Sequence, residues 1–152
     1  MKISKNILLI LLILLTFIWC GLLIGISFME APLKFQAPNI TRELALGIGQ
    51  LVFNALNKIE LFFAGMMVLC LIILKPRMNI WIGYAIPFLI LLLQTLILFP
   101  ILDVRINEIL AGNEPEPSSH HIIYIISEVI KLASLIIVGI GFLKGNFKPI
   151  QS

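Results

Sequence analysis

Charged residues are scarce in this chain. Of 152 residues, 11 are Lys or Arg and 8 are Asp or Glu, so that 12% are charged and 60% are hydrophobic. A soluble domain has about 25% charged and roughly 45–50% apolar residues. A soluble fold of this length could not cover so much apolar surface, whereas a bilayer replaces water around the outer faces of helices. The composition therefore excludes an ordinary soluble domain and indicates an integral membrane protein.

Motifs for catalysis and for redox chemistry are also lacking. The two cysteines, Cys20 and Cys70, form no C-x-x-C motif. At 1.5 Å per helical residue they lie roughly 21 Å and 6 Å above the inner ends of their spans. That gap is too large for a disulfide, which needs Cα atoms within about 7 Å. No glycine-rich phosphate loop and no G-x-S-x-G motif is present. We expect no cofactor and favour a non-enzymatic protein, although the sequence alone leaves an activity undecided.

The basic balance of the chain does not indicate a nucleic-acid partner. The formal net charge is +3 and the pI is about 9.0. However, the Lys and Arg residues form no patch and stand at the ends of apolar runs. Bases in those positions are typical of membrane topology signals. The expected partners are therefore the lipid bilayer and other membrane proteins or further copies of this chain.

Four apolar runs are long enough to cross a bilayer, which takes roughly 20 helical residues. They cover residues 6–28, 51–74, 80–102 and 122–143. One domain, residues 1–152, is the natural count for this length. We predict an all-α, integral membrane four-helix bundle with up-down-up-down topology.

The basic residues near the membrane predict its orientation. The positive-inside rule places loops with an excess of Lys and Arg in the cytoplasm. We therefore expect the N and C termini to be cytoplasmic, and the protein to be multi-pass in the inner (cytoplasmic) membrane of the cell. The side without acids carries Lys2, Lys5, Lys75, Arg77, Lys144 and Lys148. The opposite side carries Glu30, Glu43, Asp103, Glu108, Glu114 and Glu116, with Lys34, Arg42 and Arg105.

The start of the second helix is left open by the sequence. If it were continuous from Ile40 to Leu74 it would be about 50 Å long, well beyond a bilayer. Gly47 and Gly49 could bend it, or residues 40–50 could lie along the membrane interface instead.

Capping residues predict three helix ends. We expect Asn39 or Thr41 to cap the second helix and Gly112 to stop the third. Ser118 or Ser119 should cap the fourth.

Polar residues inside two of the spans share a helical face. On the second helix the spacing is four, three and three residues, and on the fourth the side chains fall within about 80° of one another. Such faces would be costly against lipid, so they should meet each other or line a wet cavity. The first set is Gln50, Asn54, Asn57 and Glu60, and the second is His121, Tyr124, Glu128 and Lys131.

Depth places several of these residues at one level. Counted from the inner helix ends, Lys131 lies roughly 18 Å, Glu60 roughly 21 Å, and Glu128 and Gln94 roughly 22 Å into the membrane. We predict that Glu128 and Lys131 form an ion pair facing the bundle interior, close to Glu60 and Gln94. Either Glu60 or Asn57 should join it across the bundle. The predicted polar layer consists of Asn54, Asn57, Glu60, Gln94, Glu128 and Lys131.

Three interpretations of this layer stay open: interhelical contacts that hold the bundle together, a solute or ion pathway, and a binding site for a lipid or partner helix. Our leading hypothesis is a non-enzymatic membrane protein that acts through helix, lipid or partner-protein contacts. The alternative is a small-solute or cation permease in which Glu60, Glu128 and Lys131 form the coupling layer.

A second candidate site lies on the outer side. His120, His121, Asp103 and Arg105 follow or precede apolar runs at that end. Outer carboxylates could join an imidazole around a metal ion. Their spacing matches no known ligand pattern, so no metal is predicted.

Three stretches carry a resemblance to a known family. "GISFMEAPLKF" (25–35), "LGIGQLVFNALNKIE" (46–60) and the segment 99–132 are similar to small four-helix bacterial membrane proteins of unknown function. These are related to a eukaryotic transmembrane protein linked to platinum-drug resistance. The resemblance implies a four-helix bundle and no established reaction, and the pair Glu128 and Lys131 departs from it. The matching signature residues are Pro32, Phe35, Phe53, Pro100, Arg105 and His121.

Overall fold

The computed structural model describes residues 5–144, which fold into four long helices. They are α1 (Lys5–Gln36), α2 (Arg42–Leu74), α3 (Met78–Leu110) and α4 (His120–Leu143). Each is long and apolar enough to cross a membrane. The predicted all-α class and the number of helices are confirmed. Lys2 and Lys148, which entered the orientation argument, lie outside the described residues.

Three helices are longer than the apolar runs that predicted them. α1 continues past residue 28 to Gln36, and α3 continues past residue 102 to Leu110. α2 is unbroken from Arg42, which settles the open question about residues 40–50. The added turns of α3 pack against α2. Apolar length alone therefore located the spans but not the helix ends.

The ends of α2 follow from local chemistry. The Thr41 hydroxyl accepts a hydrogen bond from the Leu44 N–H at 3.2 Å, so Thr41 caps the helix as predicted. At the other end Lys75 adopts a left-handed conformation with φ of 46°. Pro76 follows and cannot continue the helix, because it lacks an N–H group.

The ends of α3 and α4 differ in how well they were predicted. Gly112 has φ of 84° just after α3, so it ends that helix as expected. Ser119 occupies the N-cap position of α4, as predicted, but its side chain makes no capping hydrogen bond. Ser118 is instead hydrogen bonded to His120 Nδ1 at 3.1 Å, which engages its hydroxyl elsewhere.

Two segments of wider, π-helical turns interrupt α1 and α3. They are Leu23–Glu30 and Gln94–Leu98, and each ends two residues before a proline, Pro32 or Pro100. A proline inside a helix removes one backbone donor and crowds the preceding turn, so the widened turns absorb a distortion. They also shift the facing of the residues they contain, and Gln94 is the first residue of the second segment.

The helices pack as an antiparallel ring, with α1 against α2 and α4, and α3 against α2 and α4. Two close contacts between α4 and its neighbouring helices depend on glycine. A Cβ at Gly83 would lie 2.6 Å from Val138 Cγ2, and one at Gly139 would lie 2.9 Å from Phe17 Cζ. The absence of a side chain at these positions therefore lets α4 approach its neighbours.

The two ends of the bundle are distinguished by the connections between helices that lie there. Residues 37–41 and 111–119 connect helices at one end, which we call the cavity end. Residues 75–77 form the connection at the other end, where α1 begins and α4 finishes. We call this the terminal end.

Candidate functional site

A buried lysine joins three helices in the middle of the bundle. The Lys131 side chain is 0% exposed. Its Nζ lies 2.7 Å from Glu60 Oε1 and 2.7 Å from Glu128 Oε1, and it donates to Gln94 Oε1 at 2.7 Å. An ammonium has three donors, so each one has an acceptor. The cation is fully compensated within the protein.

The ion pair predicted between Glu128 and Lys131 is present and faces the bundle interior. Of the two candidates for the partner across the bundle, Glu60 makes the contact. Asn57 instead accepts a hydrogen bond from Thr95 Oγ1 at 2.8 Å. It therefore links α2 to α3 beside the lysine rather than binding it.

Two residues of α1 complete the cluster, and sequence reasoning missed both. Trp19 Nε1 donates to Glu60 Oε1 at 2.7 Å, and Ser27 Oγ donates to Glu128 Oε2 at 2.7 Å. Gln94 Nε2 also donates to Glu128 Oε1 at 2.8 Å. A search for donors at the depth of the carboxylates could have found the indole of Trp19. We call the six residues the central cluster: Trp19, Ser27, Glu60, Gln94, Glu128 and Lys131.

The central cluster holds two carboxylates and one ammonium. Glu60 Oε2 is buried and has no hydrogen-bond partner among the described residues. Burying charge in a low-dielectric interior is costly unless it is paired and hydrogen bonded. One of the two carboxylates would be enough to neutralise Lys131. The central cluster therefore contains one acidic group more than charge balance requires.

Between the central cluster and the cavity end lies a cavity of about 610 Å³. All four helices line it, and most lining side chains are apolar, among them Phe28, Phe53, Phe99 and Ile106. Ser27 and Glu128 also line it, so the cavity reaches the central cluster. Because the wall is apolar and the floor is polar, the cavity is suited to an amphiphilic molecule.

A buried, unpaired hydroxyl lies beneath the floor of the cavity. Tyr124 is only 4% exposed, and its ring packs edge-on against Phe53 and Phe99. The hydroxyl lies beside Ser27 and Glu128. It forms no hydrogen bond of acceptable geometry with these or any other described residue. An unpaired buried hydroxyl is destabilising, and this one lies behind the cavity surface rather than open to it.

The predicted outer-side site is only partly assembled. Asp103, Arg105 and His121 line the cavity together. His120 is not among the lining residues, and its ring is hydrogen bonded to Ser118. The cavity lining therefore includes three of the four predicted residues, and His120 points elsewhere because adjacent residues of a helix face different directions.

The predicted polar layer also divides into two levels. Asn54 does not reach the central cluster, because its amide donates to Asp103 Oδ1 at 3.4 Å. Gln50 donates to the same oxygen at 3.1 Å. The polar face of α2 runs about 15 Å from Gln50 to Glu60, so one face serves both the cavity end and the cluster.

Lys34 crosses the cavity wall above Phe53. Its Nζ lies 3.4 Å from Glu30 Oε2 and 5.1 Å from the centre of the Phe53 ring. A Cβ at Gly49 would lie 2.5 Å from this nitrogen, so the glycine provides the space that Lys34 occupies. No pattern in the sequence predicted this contact, because it depends on the packing of α1 against α2.

The metal interpretation has no structural support. Within residues 5–144, no three or more His, Cys, Asp or Glu side chains are grouped so that they could hold a metal ion. The cavity is instead bounded by apolar side chains and by individual charged groups.

Comparison of the chain with protein-family models, with curated proteins and with solved structures finds no match. The resemblance to the platinum-resistance-related family therefore stays a prediction.

Proposed function

We propose that this chain is a multi-pass protein of the inner membrane with both termini in the cytoplasm. Four helices of suitable length and hydropathy support insertion. Large apolar side chains are exposed on the outside of the bundle, for example Leu51, Leu96 and Ile137. Bases flank the helices at the terminal end, where the positive-inside rule expects the cytoplasm.

We further propose that the protein binds an amphiphilic molecule in its cavity and acts without catalysing a reaction. The cavity between the central cluster and the cavity end carries this proposal, because much of its wall is apolar and polar or charged side chains line it at both ends. Its volume of about 610 Å³ lies within the range of roughly 300–1,000 Å³ that is typical of small-molecule sites.

The proposal narrows the broader hypothesis of helix, lipid or partner contacts. Lipid-like molecules are abundant around any membrane protein, and an apolar body can leave the bilayer for an apolar cavity at little cost. The added gain would come from the polar and charged side chains that line the cavity. A partner helix would bind along a long apolar face of the bundle, whereas this site is a cavity between the helices.

Filling the cavity tests this function. Ala31 lines the cavity, so Ala31→Trp should occupy it. Ala55 is exposed on α2 outside the cavity lining, so Ala55→Trp is the matched control. Binding of a fluorophore-labelled single-chain amphiphile would be titrated with protein in nanodiscs. We expect saturable binding that Ala31→Trp weakens at least tenfold and Ala55→Trp leaves unchanged.

Equal saturable binding by both variants would contradict the proposed cavity site. Thermal melts of the two variants, made in the same nanodiscs, show whether each retains its fold. A Ala31→Trp protein that melts like wild type and still binds normally would place the amphiphile elsewhere on the surface.

A second candidate function is a small-solute or cation permease. The acid excess of the central cluster favours it, since Glu60 Oε2 has no hydrogen-bond partner among the described residues and could exchange a proton or cation. Glu60→Gln would then abolish flux across proteoliposomes while sparing the fold. If no ion or proton flux depends on Glu60, the central cluster is structural.

A further inference from the structure

The charges that line the cavity are unequally satisfied. Its two carboxylates are both engaged by protein donors, Asp103 by Gln50 and Asn54, and Glu128 by Lys131, Gln94 and Ser27. The cations that line it are Lys34, Arg42 and Arg105. Of the four oxygens of these carboxylates, Asp103 Oδ2 alone lacks a donor among the described residues. Most of the unused charged hydrogen-bonding capacity at the mouth of the cavity, its end near Arg42 and Arg105, is therefore cationic.

The two arginines hold most of that capacity. Arg105 is half-buried and donates through Nη2 to the Pro115 carbonyl at 3.4 Å. A guanidinium carries five donors, so most of the Arg105 donors have no acceptor within residues 5–144. The Arg42 side chain is exposed at the first turn of α2, where its charge acts on the neighbouring Glu43, and it forms no hydrogen bond or ion pair with another described residue. Lys34 differs, because Glu30 already neutralises it.

Guanidinium groups at the edge of an apolar cavity match a particular ligand chemistry. Arginine binds phosphate and carboxylate through paired, charge-assisted hydrogen bonds. A cationic head group would be repelled by two arginines. In a zwitterionic head group the anionic part would be attracted but the cationic part repelled, so its net gain would be smaller. We propose that the ligand is an anionic amphiphile whose phosphate or carboxylate head is held by Arg42 and Arg105.

The dimensions of the cavity agree with such a molecule. Arg42 and Phe53 both line it and lie about 16 Å apart along α2. The head group would thus sit near the start of α2 while the apolar body extends past the aromatic side chains toward Tyr124. This inference rests on the proposed binding function and adds the charge of the ligand to it.

Three detergents of equal chain length test the charge. Dodecyl phosphate, dodecylphosphocholine and dodecyltrimethylammonium would be titrated separately against delipidated protein in nanodiscs of zwitterionic lipid. We expect dodecyl phosphate to bind at least tenfold more tightly than the other two. Its affinity should fall as salt is raised, because exposed charges are screened.

Substitutions of the two arginines test whether they cause the preference for dodecyl phosphate. Arg42→Gln and Arg105→Gln should each weaken binding of dodecyl phosphate about tenfold, the value of one or two charge-assisted hydrogen bonds. Arg105→Lys should retain part of the preference. Arg77→Gln, an exposed arginine in the 75–77 connection at the terminal end, is the matched control and should change nothing. Thermal melts accompany each variant to show that the fold is intact.

Inorganic phosphate alone distinguishes a lipid head group from a free anion. We expect it to bind at least a hundredfold more weakly than dodecyl phosphate. If it binds equally well and needs Arg105, the mouth is a site for a soluble anion and the amphiphile is not its ligand.

The failures of the two proposals are distinguishable. If Ala31→Trp weakens all three detergents alike while the arginine variants change none, the inference about charge is overturned and the cavity still binds amphiphiles. If no detergent binds in a saturable way that depends on Ala31, the proposed function fails with it.

Discussion

Lys131 Nζ lies 2.7 Å from Glu60 Oε1, which makes a fully buried ion pair between α4 and α2. The neighbouring Glu128, one turn away on α4, is at the same distance from the lysine. An acid and a base one turn apart would suffice for a local pair on one helix. The interhelical contact instead makes the lysine a link between helices, and it explains why a hydrophobic span retains both charges.

Removing this lysine should therefore be severe. Lys131→Met leaves two buried carboxylates without their cation, and breaking a buried pair costs about 3–5 kcal/mol. We expect a marked fall in the melting temperature in detergent. Adding Glu128→Gln should restore part of the loss, and adding Glu60→Gln as well should restore more.

The comparison that decides this is a set of thermal melts of the single, double and triple variants. Lys58→Met removes an exposed lysine from α2 and serves as the control, with no comparable loss expected. If the losses of the cluster variants simply add, the residues are not energetically coupled.

Removing the indole N–H of Trp19 should destabilise the protein even though an aromatic ring is kept. Trp19→Phe keeps an aromatic ring that can stack on Phe88, 6.2 Å away, but removes the donor to Glu60. Glu60 Oε1 keeps its contact with Lys131 in this variant, so the expected loss is that of one hydrogen bond to a charged group, about 1.5–3 kcal/mol. Trp81→Phe is the control, since Trp81 is only half-buried and donates to no described residue. Chemical or thermal unfolding in detergent should show a clear loss for the first variant only; equal losses would argue against the hydrogen bond.

Glycine substitutions should separate close helix contacts from open ones. At Gly83 an added Cβ meets Val138 on α4 at 2.6 Å, whereas at Gly65 nothing lies within 4 Å. Overpacking costs about 1–3 kcal/mol, while Ala is favoured over Gly by about 1 kcal/mol inside a helix. Gly83→Ala should therefore lower the melting temperature, and Gly65→Ala should raise it or leave it unchanged. The same direction of change in both variants would mean that α3 and α4 do not approach closely at Gly83.

The orientation can be tested with two reporters. A reporter inserted at Asn113 should lie outside the cytoplasm, and one fused after Ser152 should lie inside. Paired enzymatic reporters that are active on opposite sides of the membrane give the readout. A cytoplasmic Asn113 would invert the orientation and the meaning assigned to Lys75 and Arg77.

Sequence reasoning predicted what depends on one helix or on depth alone. The pairing of Glu128 with Lys131 follows from a spacing of three residues within α4. The positions of Glu60 and Gln94 followed from counting residues along straight spans. Both kinds of inference survive small errors in helix ends, because one residue changes the depth by only about 1.5 Å.

What depends on the rotation and packing of several helices was not predictable. Trp19 and Ser27 join the central cluster only because α1 turns that face inward, and its widened turns from Leu23 reset the facing of Ser27. Lys34 occupies the space left by Gly49 on another helix. The cavity itself depends on how far four helices separate at one end, which no local pattern encodes.

Photolabelling tests most directly whether the cavity holds an amphiphile. A single-chain phosphate amphiphile with a diazirine in its chain would be activated in membranes and its adducts located by mass spectrometry. We predict adducts on cavity residues such as Phe53 and Tyr124, and their loss in Ala31→Trp. The outward-facing Phe62, which is 62% exposed, should be labelled equally in both proteins. Labelling confined to Phe62 and other outward-facing residues, with none in the cavity, would contradict the proposed function.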